Sequence, residues 1–376
     1  MKIVVLGLSI TSTWGNGHAT TYRSLIRALA ARKHEILFLE RDVEWYASQR
    51  DMAEPSFCRL GLYSTLADLK CRFEADVRSA DLVIVGSYVA EGVAVADWVT
   101  QNAQGLTAFY DIDTPVTLAK LEKGDHEYLS PDLIPRFDIY LSFTGGPLLD
   151  RLASQFGARR VRPLYCSADP DIYYPQTVKK LWDLGYIGTY SADRHQQFER
   201  LLLATAYKYP SGRFIVAGSQ YPSDLQWPPN LVHILHLPFI RHRTFYNQQR
   251  FTLNLTREPM VRAGFSPSVR LFEAAACGTA MISDHWAGVE KFFEPGKEIL
   301  LAASASDILD LIGSTSDDLS AQIGKAARDR FFKEHTPNHR AAQLETYVAE
   351  LVIPIPSGSL AGSELRQIVG GREAPE

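Results

Sequence analysis

Residues 266–284 read S-P-S-V-R-L-F-E-A-A-A-C-G-T-A-M-I-S-D. Ser266 is a favoured N-cap, Pro267 suits a first helical position and Gly278 suits a C-terminal stop, so the stretch predicts a short, well-punctuated helix. Between those ends Val269, Leu271, Phe272 and the run Ala274, Ala275, Ala276, Cys277 leave almost no polar face. Such a helix is buried on most sides. Arg270 and Glu273 sit within it, and burying either charge without a partner is costly. They can pair with each other across one turn, the simplest way to satisfy an isolated i,i+3 pair. Their surroundings offer another use.

Working outward, residues 251–256 (F-T-L-N-L-T) predict a strand before the helix, and residues 280–283 predict one after it. The loop between the first strand and the helix carries Arg257, Arg262 and Gly264. A strand-loop-helix-strand unit belongs to a parallel α/β sheet, where ligands bind beyond the carboxyl ends of the strands and arginines beside a helix N-terminus attract phosphate. Apolar runs alternate with helical patterns along the rest of the chain: strands at 3–8, 36–39, 82–86, 107–111 and 139–143, then at 184–188, 214–218 and 232–237. Residues 164–175, L-Y-C-S-A-D-P-D-I-Y-Y-P, break the periodicity. The expected organisation is α/β with two tandem Rossmann-like domains and an interdomain cleft. A first domain (1–165) is followed by a linker (166–180), a second domain (181–335), a helix crossing back to the first domain (336–352) and a flexible Pro/Gly/Ser-rich tail (353–376).

The 376 residues carry a net charge of −4 and are 46% hydrophobic. That length supports two cores, and the near balance of charges disfavours a general nucleic-acid or membrane-surface binder. Cys58, Cys71, Cys166 and Cys277 show no C-x-x-C spacing and read as buried thiols in a reducing compartment. Residues 3–10 resemble a short signal peptide, but a glycine-containing loop and an amphipathic helix follow, so they read as a first buried strand. No stretch reaches the ~20 apolar residues of a membrane span. A cytoplasmic protein, free or peripheral to a membrane, is expected.

The motifs D-L-G-Y-I-G-T-Y at 183–190, L-N-L-T-R-E-P-M at 253–260 and S-P-S-V-R-L-F-E-A-A-A-C-G-T at 266–279 together resemble GT-B glycosyltransferases, specifically the CgeB-like, spore-maturation-type branch related to family-four enzymes. The linker S-A-D-P-D-I-Y-Y-P is similar to their D-x-x-x-F-x-P crossing segment. This resemblance implies a hexosyltransferase whose nucleoside-diphosphate sugar is held mainly by the second domain, with an unidentified acceptor (glycan, lipid-linked glycan, metabolite or protein) approaching from the first and no other cofactor. It places donor phosphates at Gly188, Thr189 and Tyr190, makes Arg257, Arg262 and Arg270 candidates for their charge, gives Glu273 the ribose, and sets His236 and Leu237 near the nucleobase. The family-four pattern has a second glutamate eight positions before this one, where the chain has Phe265. Ser266 and Ser268 are candidate substitutes, and retention versus inversion stays open.

In the first domain, the loop S-I-T-S-T-W-G-N-G-H-A at 9–19 places Gly15, Gly17 and His18 between a strand and a helix. It is not G-x-G-x-x-G, which disfavours a dinucleotide dehydrogenase, although Glu40 ends the second strand where such enzymes hold a ribose. In the glycosyltransferase reading the loop faces donor phosphates or acceptor, and His18 is a candidate base. F-Y-D-I-D-T-P at 109–115 ends a strand with Asp111 and Asp113 on one side of the chain. Either is a candidate to deprotonate an acceptor hydroxyl, Asp113 preferred. D-x-D also binds a metal in another glycosyltransferase architecture, but here it lies in the wrong domain, so metal-independent donor binding is expected. The histidines from His233 to His242 show no zinc spacing. A sugar-nucleotide epimerase and a non-catalytic sugar-nucleotide or glycan binder are the alternatives.

Overall fold

The computed structural model describes residues 1–15 and 17–352. The expected tail, 353–376, lies outside them. Two parallel sheets are built from apolar runs that are buried on both faces, as covered parallel strands require. The first comprises β1 (Lys2–Gly7), β2 (Glu35–Arg41), β3 (Arg59–Tyr63), β4 (Leu82–Gly86), β5 (Leu106–Asp111), β6 (Ile139–Ser142) and β7 (Val161–Pro163), in the order β3-β2-β1-β4-β5-β6-β7. The second comprises β8 (Trp182–Ile187), β9 (Phe214–Ala217), β10 (Leu231–Ile234), β11 (Gln249–Asn254), β12 (Ala280–Ser283) and β13 (Leu300–Leu301), in the order β10-β9-β8-β11-β12-β13. Strand order therefore reverses between β1 and β4 and again between β8 and β11, where α/β sheets bind ligands.

The central helix runs Val269–Ala276 with Ser268, not Ser266, as its N-cap. Ser266 is unavailable for capping because its hydroxyl meets the Gly264 carbonyl (2.8 Å) and the Thr144 hydroxyl (2.9 Å). At the other end Gly278 takes φ +67°, the left-handed geometry that lets the chain leave the helix. The helical segment after β8 is interrupted by a π-helical turn at Glu199–Leu203.

The linker is packed: Tyr173 is 1% exposed, and Asp169 pairs with Arg27 of the first domain at 2.9 Å. The final helix, Pro337–Val352, lies on the first-domain helix His18–Ala31, burying Ala341, Leu344 and Val348. Glu345 clamps it there, accepting from Arg32 Nε at 2.8 Å and meeting His34 Nε2 at 2.7 Å. Just before the helix begins, His335 is held from both sides: its Nε2 meets the Phe292 carbonyl (3.1 Å), and Arg340 meets its Nδ1 (3.0 Å).

This seam is sensitive to acid. Burial, with Arg340 beside it, pushes the His335 imidazole from 6.5 down to about 4, and Arg32 and His34 hold the Glu345 carboxyl down from 4.5 to about 2. In both cases the unfolded chain takes up the proton first, so stability falls as pH drops through each window. The thermal midpoint is expected to decline between pH 7 and 4, with His335→Gln flattening the upper part of that decline.

Candidate functional site

The carboxyl ends of the two sheets enclose a cavity of about 460 Å³. Leu8 follows β1, Tyr88 follows β4, Asp113 lies just beyond β5 and Phe143 follows β6; from the other side come Gly188 and Thr189 after β8, Gly218 and Ser219 after β9, and Thr256 and Arg257 after β11. The central helix points its first turns into the same space through Ser268, Arg270 and Glu273. Both topological switch points thus open onto one cavity.

On the second-domain side, the turns after β8 and β9 approach so closely that a Cβ at Gly218 would stand 2.0 Å from the Gly188 carbonyl oxygen. A side chain at Gly218 would therefore not fit. Arg194 donates to the Thr189 carbonyl at 2.7 Å. Arg270 is fixed at the end of β8: its Nε donates to the Ile187 carbonyl (2.6 Å), one Nη donates to Asn254 Oδ1 (2.8 Å), and its guanidinium carbon lies 4.8 Å from the Tyr186 ring centroid. Arg257 donates to Asp193 (2.7 Å) and reaches Asp113 across the cleft at 3.6 Å. Three arginines thus stand beside two small-residue turns, a grouping whose charge suits an anion.

Arg270 and Glu273 do not satisfy each other. Glu273 accepts from Tyr173 of the linker (2.9 Å) and from Tyr246 (2.6 Å). Each tyrosine brings a ring that fills apolar space and a hydroxyl that hydrogen-bonds the carboxyl group, which still lines the cavity. His236 and Leu237 also line it, although β10 ends before them at Ile234.

In the first domain His18 opens its helix, and its Nε2 lies 2.8 Å from Asp113 Oδ2. A carboxylate only accepts, so Nε2 donates to it; Nδ1 is buried without a hydrogen-bond partner among the described residues. Gly15 and Gly17 line the cavity beside it, Gly15 with φ +67°.

Four candidates stand elsewhere. Asp111 is fully buried and accepts from Tyr140 (2.5 Å), Thr117 (2.8 Å) and the Asp113 amide (3.1 Å); burial pushes its carboxyl up to about 6. It braces the strand end and does not face the cavity. Arg262 is exposed and pairs with Glu258, 3.8 Å away one helical turn back. Tyr190 packs on His195 and Tyr221 outside the lining. Ser266 joins the two domains through Thr144. Phe265, where the resemblance expects a glutamate, has φ +48° and turns its ring to Gly146 and Gly288, and its carbonyl accepts from the Gly145 amide at 3.0 Å. That position serves the interdomain contact. Glu40 is likewise tied into the fold: it accepts from the Ser9 hydroxyl (3.0 Å), the Ile10 amide (2.7 Å) and both the amide (3.0 Å) and hydroxyl (2.6 Å) of Thr11, shaping the loop before His18.

Arg194 and Tyr88 were not singled out from sequence. Arg194 lies five residues beyond Thr189, a spacing that lets it fold back on that turn. Tyr88 gives no local signal.

Residues 194–346 match a family model described as glycosyl transferase-like. No curated protein matches the chain by sequence. Among solved structures the chain is similar to sucrose-phosphate synthase from Thermosynechococcus elongatus (14% identity, TM-score 0.70, covering 93% of this chain and 98% of that one). It is also similar to Anabaena HepE in complex with UDP and glucose (13%, 0.70, 93% and 100%), and to an α-glucosyltransferase in complex with UDP-glucose and DNA containing an abasic site (12%, 0.69, 93% and 99%). The fold is that of GT-B glycosyltransferases, and the glycosyl transferase-like segment covers most of the second domain and part of the final helix. Among the described residues no helix is long and apolar enough to cross a membrane.

Proposed function

We propose that the chain is a glycosyltransferase of the CgeB-like branch that moves a hexosyl group from a UDP-sugar to an acceptor hydroxyl. The observation that carries this reading is a single cavity with Arg194, Arg257 and Arg270 on one side and the His18–Asp113 pair on the other. UDP is the nucleotide named for the HepE and α-glucosyltransferase structures. Its diphosphate fits the turns at Gly188, Thr189 and Gly218, with Ser268 at the helix start, and Glu273 is placed to accept from the ribose hydroxyls.

The acceptor oxygen attacks the anomeric carbon as the bond from that carbon to the phosphate oxygen breaks. The His18–Asp113 pair takes the acceptor proton, and the diphosphate leaves with the bonding electron pair beside the arginines. The arginines supply the positive charge, so no metal or other cofactor is required in this reading.

Calorimetric titration with UDP, TDP, GDP and NAD, each with and without EDTA, tests it. UDP is expected to bind best and to be insensitive to EDTA. Loss of binding on chelation would overturn the metal-independent donor site, and binding of NAD alone would favour a dehydrogenase. An unchanged sugar in recovered donor would set aside an epimerase.

A further inference from the structure

In the turns after β8 and β9, the backbone groups of Gly188, Thr189, Gly218 and Ser219 have partners among the described residues, with two exceptions. The Gly188 amide donates to the Ala217 carbonyl (2.9 Å), the Gly218 amide to the Ile234 carbonyl (2.9 Å) and the Tyr190 amide to the Ser219 carbonyl (2.9 Å). Arg194 takes the Thr189 carbonyl. The amides of Thr189 and Ser219 have no acceptor among the described residues. Backbone donors are seldom left idle, so these two are free for water or a ligand.

The carbonyls of Gly188 and Gly218 are held by two side chains that do not line the cavity. The Tyr221 hydroxyl donates to Gly188 (3.0 Å), and His233 Nε2 lies 2.9 Å from the Gly218 carbonyl oxygen. A carbonyl only accepts, so Nε2 donates. Both side chains are fixed in an aromatic wedge. Trp227 stacks on His233 with ring centroids 4.2 Å apart, and Tyr221 stands edge-on to His233 (5.2 Å) and packs on buried Phe198 (5.1 Å). A peptide unit is planar and trans, so its N–H points opposite to its C=O. The Gly188 carbonyl shares its unit with the Thr189 amide, and the Gly218 carbonyl shares its unit with the Ser219 amide. Drawing each carbonyl back to the wedge turns the two idle amides the other way, toward the cavity that Thr189 and Ser219 line.

Resting on the transferase reading, we infer that Tyr221 and His233 are positioning residues for the donor: by holding the Gly188 and Gly218 carbonyls they aim the Thr189 and Ser219 amides at its diphosphate. Neither side chain touches the donor. Their effect is on phosphate recognition and not on the nucleoside.

The test uses the full chain and compares wild type with Tyr221→Phe, His233→Phe and His233→Gln. The two phenylalanines keep a ring in the wedge and remove only the donor, whereas glutamine supplies an N–H of its own. UDP, uridine and inorganic pyrophosphate are titrated against each protein, with the thermal midpoint as a control for folding. Tyr221→Phe and His233→Phe should each weaken UDP and pyrophosphate by about three- to tenfold and leave uridine within about twofold, and His233→Gln should recover most of the loss. UDP affinity unmoved by both phenylalanine variants, or UDP and uridine weakened equally, would overturn the positioning role. If UDP fails to bind wild type while pyrophosphate binds and is weakened by both phenylalanine variants, the donor reading falls and the aimed amides stand. If neither ligand binds wild type, both fall.

Discussion

His18→Ala is expected to lower sugar transfer by about 10²–10⁴-fold while leaving UDP affinity within about twofold, the range for losing a positioned general base. The separation follows from placement: His18 stands at the start of a first-domain helix, bonded to Asp113, whereas the arginines lining the cavity belong to the second domain. Asp113→Asn tests the same pair differently. The amide removes the carboxylate that Nε2 faces and its capacity to take a proton, so a large fall in turnover is expected although the shape is nearly unchanged. Arg257 shares Asp113, so this variant also loosens the contact across the cleft. UDP affinity is therefore measured alongside turnover. A base that takes the acceptor proton during in-line attack gives inversion at the anomeric carbon. The product's configuration, read by NMR, checks this independently. A retained configuration together with an active His18→Ala protein would remove His18 from the chemistry and leave it a positioning residue.

Much of the fold was legible because parallel strands buried on both faces write themselves as short apolar runs. β1, β4, β5, β6, β8, β9, β11 and β12 each follow such a run. β3 was not legible, because Arg59–Tyr63 is a half-exposed edge strand with a charged first residue, and neither was β7, with three half-buried residues. The candidate site was read where chemistry and backbone coincide, as at Gly188, Thr189, Arg270 and Glu273. It was misread where alternation was carried past the end of a strand. Asp111 and Asp113 share a side only while the strand continues; β5 stops at Asp111 and the chain turns into a helix at Thr114, so one carboxylate enters the sheet end and the other the cavity. Tyr88 could not be read at all. Its place in the cavity wall comes from a left-handed backbone and from the β1–β4 pairing that carries the end of β4 to His18, seventy residues earlier in the chain.

Glu273→Gln is expected to weaken UDP binding by about tenfold or more, because a hydrogen bond to a charged group contributes about 1.5–3 kcal/mol and the amide retains one acceptor oxygen instead of two. Both carboxylate oxygens already have tyrosine donors, so a ribose hydroxyl must use the remaining lone pairs. Losing one oxygen forces the ribose to compete with Tyr173 or Tyr246. Glu273→Ala goes further: it leaves two buried hydroxyls without their acceptor, at about 1–3 kcal/mol each, and so should lower the thermal midpoint as well. Measuring affinity and thermal midpoint on both variants separates two roles for one side chain. If Glu273 only anchors the linker, Glu273→Gln will lower the midpoint and leave UDP affinity unchanged, and Tyr173→Phe will reproduce its effect. If it also binds donor, affinity will fall in Glu273→Gln by more than in Tyr173→Phe, because the phenylalanine removes a donor to the carboxylate and leaves both oxygens open to the ribose. That ordering is expected, since Glu273 faces the cavity while Tyr173 approaches it from the linker.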